Sequence, residues 1–255
     1  MTDPSFLAGP DGRRLAYRIQ SGRAPTVVFL AGFASDMSGA KAEHLARWCE
    51  ARGQAFLRFD YSGHGASAGA LTEGSIGHWR EDALAVIDAA TDGKLLLVGS
   101  SMGGWIGLLV ALARADRIAG FIGLAAAPDF TEALMWAAMT PAEQAALWRL
   151  GTLTTPSEYG PPLKITRQLI EEGRQHLLLS GPIPLAFPVR LLHGQRDRDV
   201  PWEFSLRLSR AITGNDVQVT LIKHAQHRLS RPEDLALIER TLSELLGGLG
   251  GEDGV

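Results

Sequence analysis

The sequence predicts an α/β fold: a mostly parallel central sheet with helices on both faces and an inserted helical cap. Three observations carry this. Short, continuous apolar runs of strand length alternate with longer segments of helical periodicity from Thr26 onward. The alternation breaks once, between about 128 and 188, a stretch too long for a plain loop. Finally, Leu95–Trp105 (LLLVGSSMGGW) passes abruptly from a buried-strand pattern through small residues into helical spacing. The 255 residues, 45% of them hydrophobic, suffice for one domain, 1–255, with a cap inserted at about 128–188.

The elements follow in order. Arg14–Gln20 alternates apolar and polar residues after an Asp11-Gly12 turn, as an edge strand or hairpin does. Thr26–Leu30 reads as a buried strand, Ala31–Met37 as a loop, and Ala40–Arg52 as an amphipathic helix with Leu45 and Trp48 inward. Ala55–Phe59 is the next strand, Asp60–Ser67 a glycine-rich loop, and Trp79–Ala90 a helix with Ala83, Leu84 and Ile87 on one side. After the helix that ends near Ala113, Ala119–Leu124 is again a strand. Such alternation implies parallel pairing through right-handed crossovers. The insertion shows helical runs at Phe130–Met139, Pro141–Leu150 and Ile165–Leu179, with a Pro/Gly-rich piece, 154–162, between the last two. Val189–Leu192 resumes the sheet, followed by helix Glu203–Ile212, strand Val217–Ile222 and helix Pro232–Leu246. The glycine-rich acidic tail from Gly247 is expected to fray.

Composition excludes several functions. A net charge of −3 without a basic stripe argues against a nucleic-acid partner. No apolar run reaches eighteen residues, so no stable membrane insertion is expected. Met1–Pro10 lacks the basic start and apolar core of a signal peptide, and the lone Cys49 forms no internal disulfide, so a cytoplasmic protein is expected. The seven histidines show no metal-ligand spacing with Cys or carboxylates; no metal and no cofactor are expected.

The chemistry centres on Gly99-x-Ser101-x-Gly103. Small residues let a strand turn sharply into a helix, leaving Ser101 exposed at the strand's carboxyl end with the helix N-terminus directed at it. A serine hydroxyl needs a base, and the base needs an acid to orient it. Two late loops offer them. His193–Pro201, after a strand, carries Asp197 and Asp199; Lys223–Pro232, after the last strand, carries His224 and His227. His227 is the better base, because a few residues of loop bring the ring back across the sheet edge, and His224 is the fallback. His193, at a strand end, reads as structural, and His64 lies in the glycine loop within reach of the site. Two backbone donors are also required for a developing oxyanion: Met102 N–H, after the nucleophile, and Phe33 N–H, in the loop after the early strand.

The elbow matches that of serine α/β-hydrolases, and the run His-Gly-x-x-Asp-x-x-Val-Pro resembles their acid loop, with the acid at Asp197. More specifically, Phe33–Lys41 (FASDMSGAK), Leu57–Gly63 (LRFDYSG), Val98–Trp105, Pro188–Gly194 and Lys223–Arg228 resemble the mitochondrial palmitoyl-protein thioesterase and mycophenolic acid acyl-glucuronide esterase group. That resemblance implies a serine esterase or thioesterase whose triad is Ser101, Asp197 and His227. In the cap it covers only patches, around Pro156-Ser157-x-Tyr159 and Pro182-Ile183-Pro184. The implied partner is a small-molecule ester or an acylated substrate, such as an S-acylated protein. Apolar cap residues Phe130, Leu134, Met135, Trp136, Met139, Leu147 and Trp148 either line an acyl pocket or dock the cap. Two rival readings are a non-catalytic ligand-binding homologue and a hydrolase of another bond, amide or carbon–carbon.

Overall fold

The computed structural model describes residues 3–156 and 162–249. Part of the Pro156–Tyr159 patch and the end of the acidic tail lie outside the described residues. An eight-stranded sheet forms the centre: β1 (Ser5–Ala8), β2 (Arg14–Gln20), β3 (Arg23–Leu30), β4 (Gln54–Phe59), β5 (Leu95–Ser100), β6 (Ile118–Leu124), β9 (Val189–Gly194) and β10 (Val217–Ile222). Their spatial order is β1-β2-β4-β3-β5-β6-β9-β10. β2 runs antiparallel to both β1 and β4, and every later pairing is parallel. β4 and β5 are buried along their whole length; β5 begins with the unbroken apolar run Leu95–Val98, while β4 also buries Gln54 and Arg58.

The winding positions the site. From β3 the chain moves outward through α1 (Ala40–Glu50) to β4, then back through α2 (Ile76–Ala90) to β5 on the other side of β3. Right-handed crossovers in opposite directions place α1 and α2 on opposite faces. The loops after β3 and β5 therefore diverge and leave a crevice at the strands' carboxyl ends. α3 (Met102–Ala113) follows β5, α6 (Glu203–Ala211) links β9 to β10, and α7 (Pro232–Leu249) packs beside α1. Trp79, Trp105, Phe56, Phe59 and Phe121 are fully buried in the core between these layers.

Between β6 and β9 the structure departs from the expected all-helical insertion. The helical run expected at Phe130–Met139 is present over residues 130–138, but with Thr131–Trp136 in π form, and it is preceded by Asp129 with φ +61°. The helix α4 (Pro141–Leu150) is as expected, with Thr140 and Glu143 capping its start reciprocally. Next comes an antiparallel hairpin, β7 (Thr152–Thr155) and β8 (Leu163–Thr166), where the sequence pattern predicts a helix from Ile165; only α5 (Arg167–Gly173) is helical before a short 3-10 turn. Thr166, with its hydroxyl on the Leu169 N–H, starts that helix two residues late. β1 also escaped the sequence reading, being four residues long and mostly exposed.

Candidate active site

The turn from β5 into α3 is forced by its neighbours. A Cβ on Gly99 would meet the Gly103 carbonyl oxygen at 2.4 Å, and one on Gly103 would meet that of Leu30 at 2.1 Å. With both glycines the helix packs onto the strands, and Ser101 takes φ +54°, ψ −119°, a conformation unfavourable for a residue with a side chain. Its N–H donates to Leu124 O at 3.0 Å, and its carbonyl accepts from Gly104 and Ala127, so the strained residue is held from three sides.

The late loops bring the sequence-predicted partners to it. Ser101 Oγ lies 3.1 Å from His227 Nε2, and His227 Nδ1 lies 2.7 Å from Asp197 Oδ2. A carboxylate only accepts, so Nδ1 donates and Nε2 is free to accept the serine proton. His224 is exposed in the turn after β10, and Asp199, also exposed, gives its N–H to Asp197 Oδ1.

Asp197 is more heavily bonded than the sequence reading allows for. Oδ1 accepts the Asp199 and Val200 N–H groups, both at 2.9 Å, and Oδ2 accepts His193 Nε2–H at 3.2 Å in addition to His227. The His193 tautomer follows from the Val200 carbonyl, which also accepts from Nε2, at 3.0 Å. Nδ1 then accepts from Ser205 Oγ–H at 2.7 Å. His193 is thus structural, as read, but also touches the acid; its four-residue spacing from Asp197 was the available signal. Burial opposes the charge on Asp197, yet the hydrogen bonds from His193 and His227 prevail and hold its carboxyl well below the usual carboxylate range. Among the described residues, Asp197, Asp199 and His227 are the one group spaced to hold a metal ion, but four N–H donors already point at the Asp197 oxygens.

The loop after β3 closes the site from the other side. A Cβ on Gly32 would stand 3.4 Å from that of Ser101, so the Phe33 peptide runs alongside the serine. Phe33 packs its ring against Trp79 and Phe130, with centroids 5.8 and 6.1 Å apart. Met102 opens α3 directly after Ser101, at the helix end whose dipole favours negative charge. A cavity of about 770 Å³ lies over Ser101 and His227. Phe130, Leu134, Met135, Leu71 and Leu163 form its apolar wall, and Lys41, Lys164, Arg228 and Asp199 are its charged lining. The apolar cap residues divide between the two roles foreseen for them. Phe130, Leu134 and Met135 line the cavity, whereas Leu147 joins Ile165 and Ile170 in a separate small core that Trp136, Met139 and Trp148 cover.

The family model of serine aminopeptidases, S33, matches residues 23–168, more than half of the chain. The chain belongs to this family of α/β-hydrolases. Members similar along nearly the whole length include the rat mitochondrial palmitoyl-protein thioesterase ABHD10, 39% identical over 97% of this chain and 84% of the relative. Among solved structures, mouse α/β-hydrolase domain-containing protein 10 superposes with a TM-score of 0.91 at 38% identity, over 97% of this chain and all of that one. A putative hydrolase from Agrobacterium vitis superposes with a TM-score of 0.92 at 37% identity, covering 95% and 98% of the two chains. The S33 assignment bears out the α/β-hydrolase fold and the serine-hydrolase class expected from the elbow. It also corrects the expected location. The rat relative and four further relatives, 37–39% identical, are all named as mitochondrial, which points away from the cytoplasm. The cytoplasmic expectation rested on a missing secretory signal, which has an apolar core; mitochondrial leaders are amphipathic and Arg-rich, so that test does not separate the two compartments.

Proposed function

We propose that this S33 hydrolase cleaves acyl thioesters and carboxylic esters through an acyl-enzyme on Ser101. The observation that carries the reading is the unbroken hydrogen-bond line from Ser101 Oγ through His227 to Asp197. Ser101 Oγ attacks the acyl carbonyl as His227 Nε2 takes its proton; Asp197 fixes the tautomer and stabilises the imidazolium. The carbonyl oxygen, now anionic, is met by the Phe33 and Met102 N–H groups, each such donor being worth roughly 3 kcal/mol. His227 returns its proton to the departing thiolate or alkoxide, and a water molecule, deprotonated by the same ring, releases the acid.

The cavity supports an acylated substrate. Its volume falls within the roughly 300–1,000 Å³ of small-molecule sites, and its apolar wall suits an acyl chain. The relatives named as palmitoyl-protein thioesterases point the same way. An aminopeptidase needs a negative group for the substrate's ammonium, whereas Lys41, Lys164 and Arg228 outnumber Asp199 along this lining.

Labelling with a fluorophosphonate, followed by rates for p-nitrophenyl esters and S-acyl peptides of increasing chain length, tests the proposal. Wild type labels and Ser101→Ala does not. A folded wild type that fails to label leaves the ligand-binding reading in its place.

A further inference from the structure

His64, in the loop after β4, is 4% exposed and takes part in none of the proton transfers proposed above. Both of its ring nitrogens are nevertheless committed. Nδ1 lies 3.1 Å from the Ser62 carbonyl, which only accepts, so Nδ1 carries the proton. Nε2 therefore presents a lone pair, and the Ala34 N–H donates to it at 3.2 Å.

Ala34 directly follows Phe33 and has φ +54°, a left-handed conformation that a residue with a Cβ disfavours. The same turn is closed by the Ser35 N–H on the Gly32 carbonyl at 3.1 Å. The imidazole that braces it is itself fixed. Ser62 O also accepts Trp79 Nε1–H at 3.1 Å, and the Ser62 N–H and hydroxyl both donate to Asp82 Oδ2, at 2.8 and 2.6 Å. Tyr61 and Trp79 pack edge-on against the ring, with centroids at 5.6 and 5.2 Å. A line of contacts thus runs from Asp82 on α2, through Ser62 and His64, to the backbone beside the Phe33 peptide. Burial lowers the pKa of His64 below its ordinary value, which keeps the Nε2 lone pair available at neutral pH.

We propose that His64 is a positioning residue for the oxyanion hole: by accepting the Ala34 N–H it holds the Gly32–Ser35 turn in the conformation that aims the Phe33 N–H at the Ser101 adduct. This rests on the role proposed above for Phe33. A misaimed donor stabilises the tetrahedral adduct less and leaves ground-state binding of the ester intact.

The test pairs His64→Phe, which keeps the ring packing and removes the acceptor, with His64→Gln, which returns an oxygen near the Nε2 position. All rates are taken per active site, titrated with a fluorophosphonate. In His64→Phe, kcat falls about 10- to 100-fold with little change in KM. Affinity for a trifluoromethyl ketone, whose hemiketal carries the oxyanion, falls by the same factor. His64→Gln recovers most of both. A merely structural role lowers the melting temperature and the number of titratable sites and leaves the per-site ketone affinity unchanged. Wild-type kcat and ketone affinity in His64→Phe overturn the proposal. So does an Nε2–H tautomer in ¹⁵N–¹H spectra of the wild-type ring, a measurement that needs no variant to fold. If wild-type Ser101 itself fails to react, the hydrolase reading fails; if it reacts and His64→Phe is unimpaired, only the role of His64 fails.

Discussion

Replacing Asp197 with Asn sets four N–H donors against a side chain that has one oxygen and one amino group. The carboxylate accepts from Asp199 and Val200 through Oδ1 and from His193 and His227 through Oδ2. Whichever way the amide turns, two donors face its NH₂ group. The backbone pair is fixed by the turn, so the amide oxygen goes there and the NH₂ faces the imidazoles. His227 then carries its proton on Nε2 and presents a donor to Ser101 in place of a base. The expected loss is about 10⁴ in kcat, or roughly 5 kcal/mol of transition-state stabilisation. A further ~1–3 kcal/mol of folding stability goes because the buried Asn NH₂ faces N–H donors and finds no acceptor, while His193 Nε2–H keeps only the Val200 carbonyl. Steady-state rates on a p-nitrophenyl ester, normalised to titrated sites, give the first quantity, and thermal unfolding gives the second.

The pH dependence has a definite sign. Because the folded-state pKa of Asp197 is depressed, its ionisation contributes stability that is complete above the unfolded carboxylate pKa and is lost as pH falls through the folded value. The melting-temperature gap between wild type and Asp197→Asn is therefore full above about pH 5 and narrows below about pH 4. Asp199→Asn, altering an exposed side chain, changes kcat by less than about threefold. The reasoning fails if Asp197→Asn keeps more than about a tenth of wild-type kcat, or if Asp199→Asn falls as far as Asp197→Asn.

Other consequences are measurable separately. Leu134→Trp fills the apolar wall of the cavity, so kcat/KM for a dodecanoyl ester falls more than about tenfold relative to an acetyl ester, and an unchanged ratio places the acyl chain elsewhere. Gly103→Ala drives a Cβ into the Leu30 carbonyl; soluble protein is expected to melt earlier and to label poorly at Ser101. The Cys49 thiol is buried and its pKa is pushed up to about 12, so native protein resists maleimide at neutral pH while denatured protein reacts at once. Glu172 accepts the Gly77 N–H with both oxygens at 3.0 Å and pairs with His176, tying α5 to the start of α2. Glu172→Ala is expected to accelerate amide exchange across β8 and α5, with β5 and β6 as protected as before.

How much was legible varied with how local the determinant was. Ser101, Asp197 and His227 stand in short loops after apolar strands, and each loop's composition states its own turn. Their convergence needed only the parallel winding that the strand alternation implies. The cap was read less well, because Leu163-Lys164-Ile165-Thr166 is followed by Leu169 and Ile170 and the whole run mimics helical spacing. Its partner strand, Thr152-Leu153-Thr154-Thr155, has too little apolar character to announce itself. The π-turn at Thr131–Trp136 was invisible for another reason. Asp129 is held at positive φ with its carboxylate on the Leu178 and Leu179 N–H groups, a tertiary constraint from fifty residues away. The contact of His193 with Asp197 and that of His64 with Ala34 depend likewise on ring orientation, which no pattern of residue types records.

β6 and β9 are parallel hydrogen-bonded neighbours, so the chain that leaves the sheet after Leu124 re-enters in the adjacent strand at Val189, opposite Phe121 and three residues back along it. The ends of the intervening segment are thus pinned together by the sheet itself, whatever lies between them. Closing a loop costs only about 0.6 kcal/mol more for each doubling of its length. Residues 131–182 can therefore lengthen, shorten or be exchanged at little cost to the sheet, while Ala127, whose N–H holds the Ser101 carbonyl, and the loops carrying Ser101, Asp197 and His227 stay where they are. If Ser101, Asp197 and His227 carry the reaction as proposed, a library confined to this segment varies the apolar wall at Leu134 and Met135 while holding the bond-breaking groups constant.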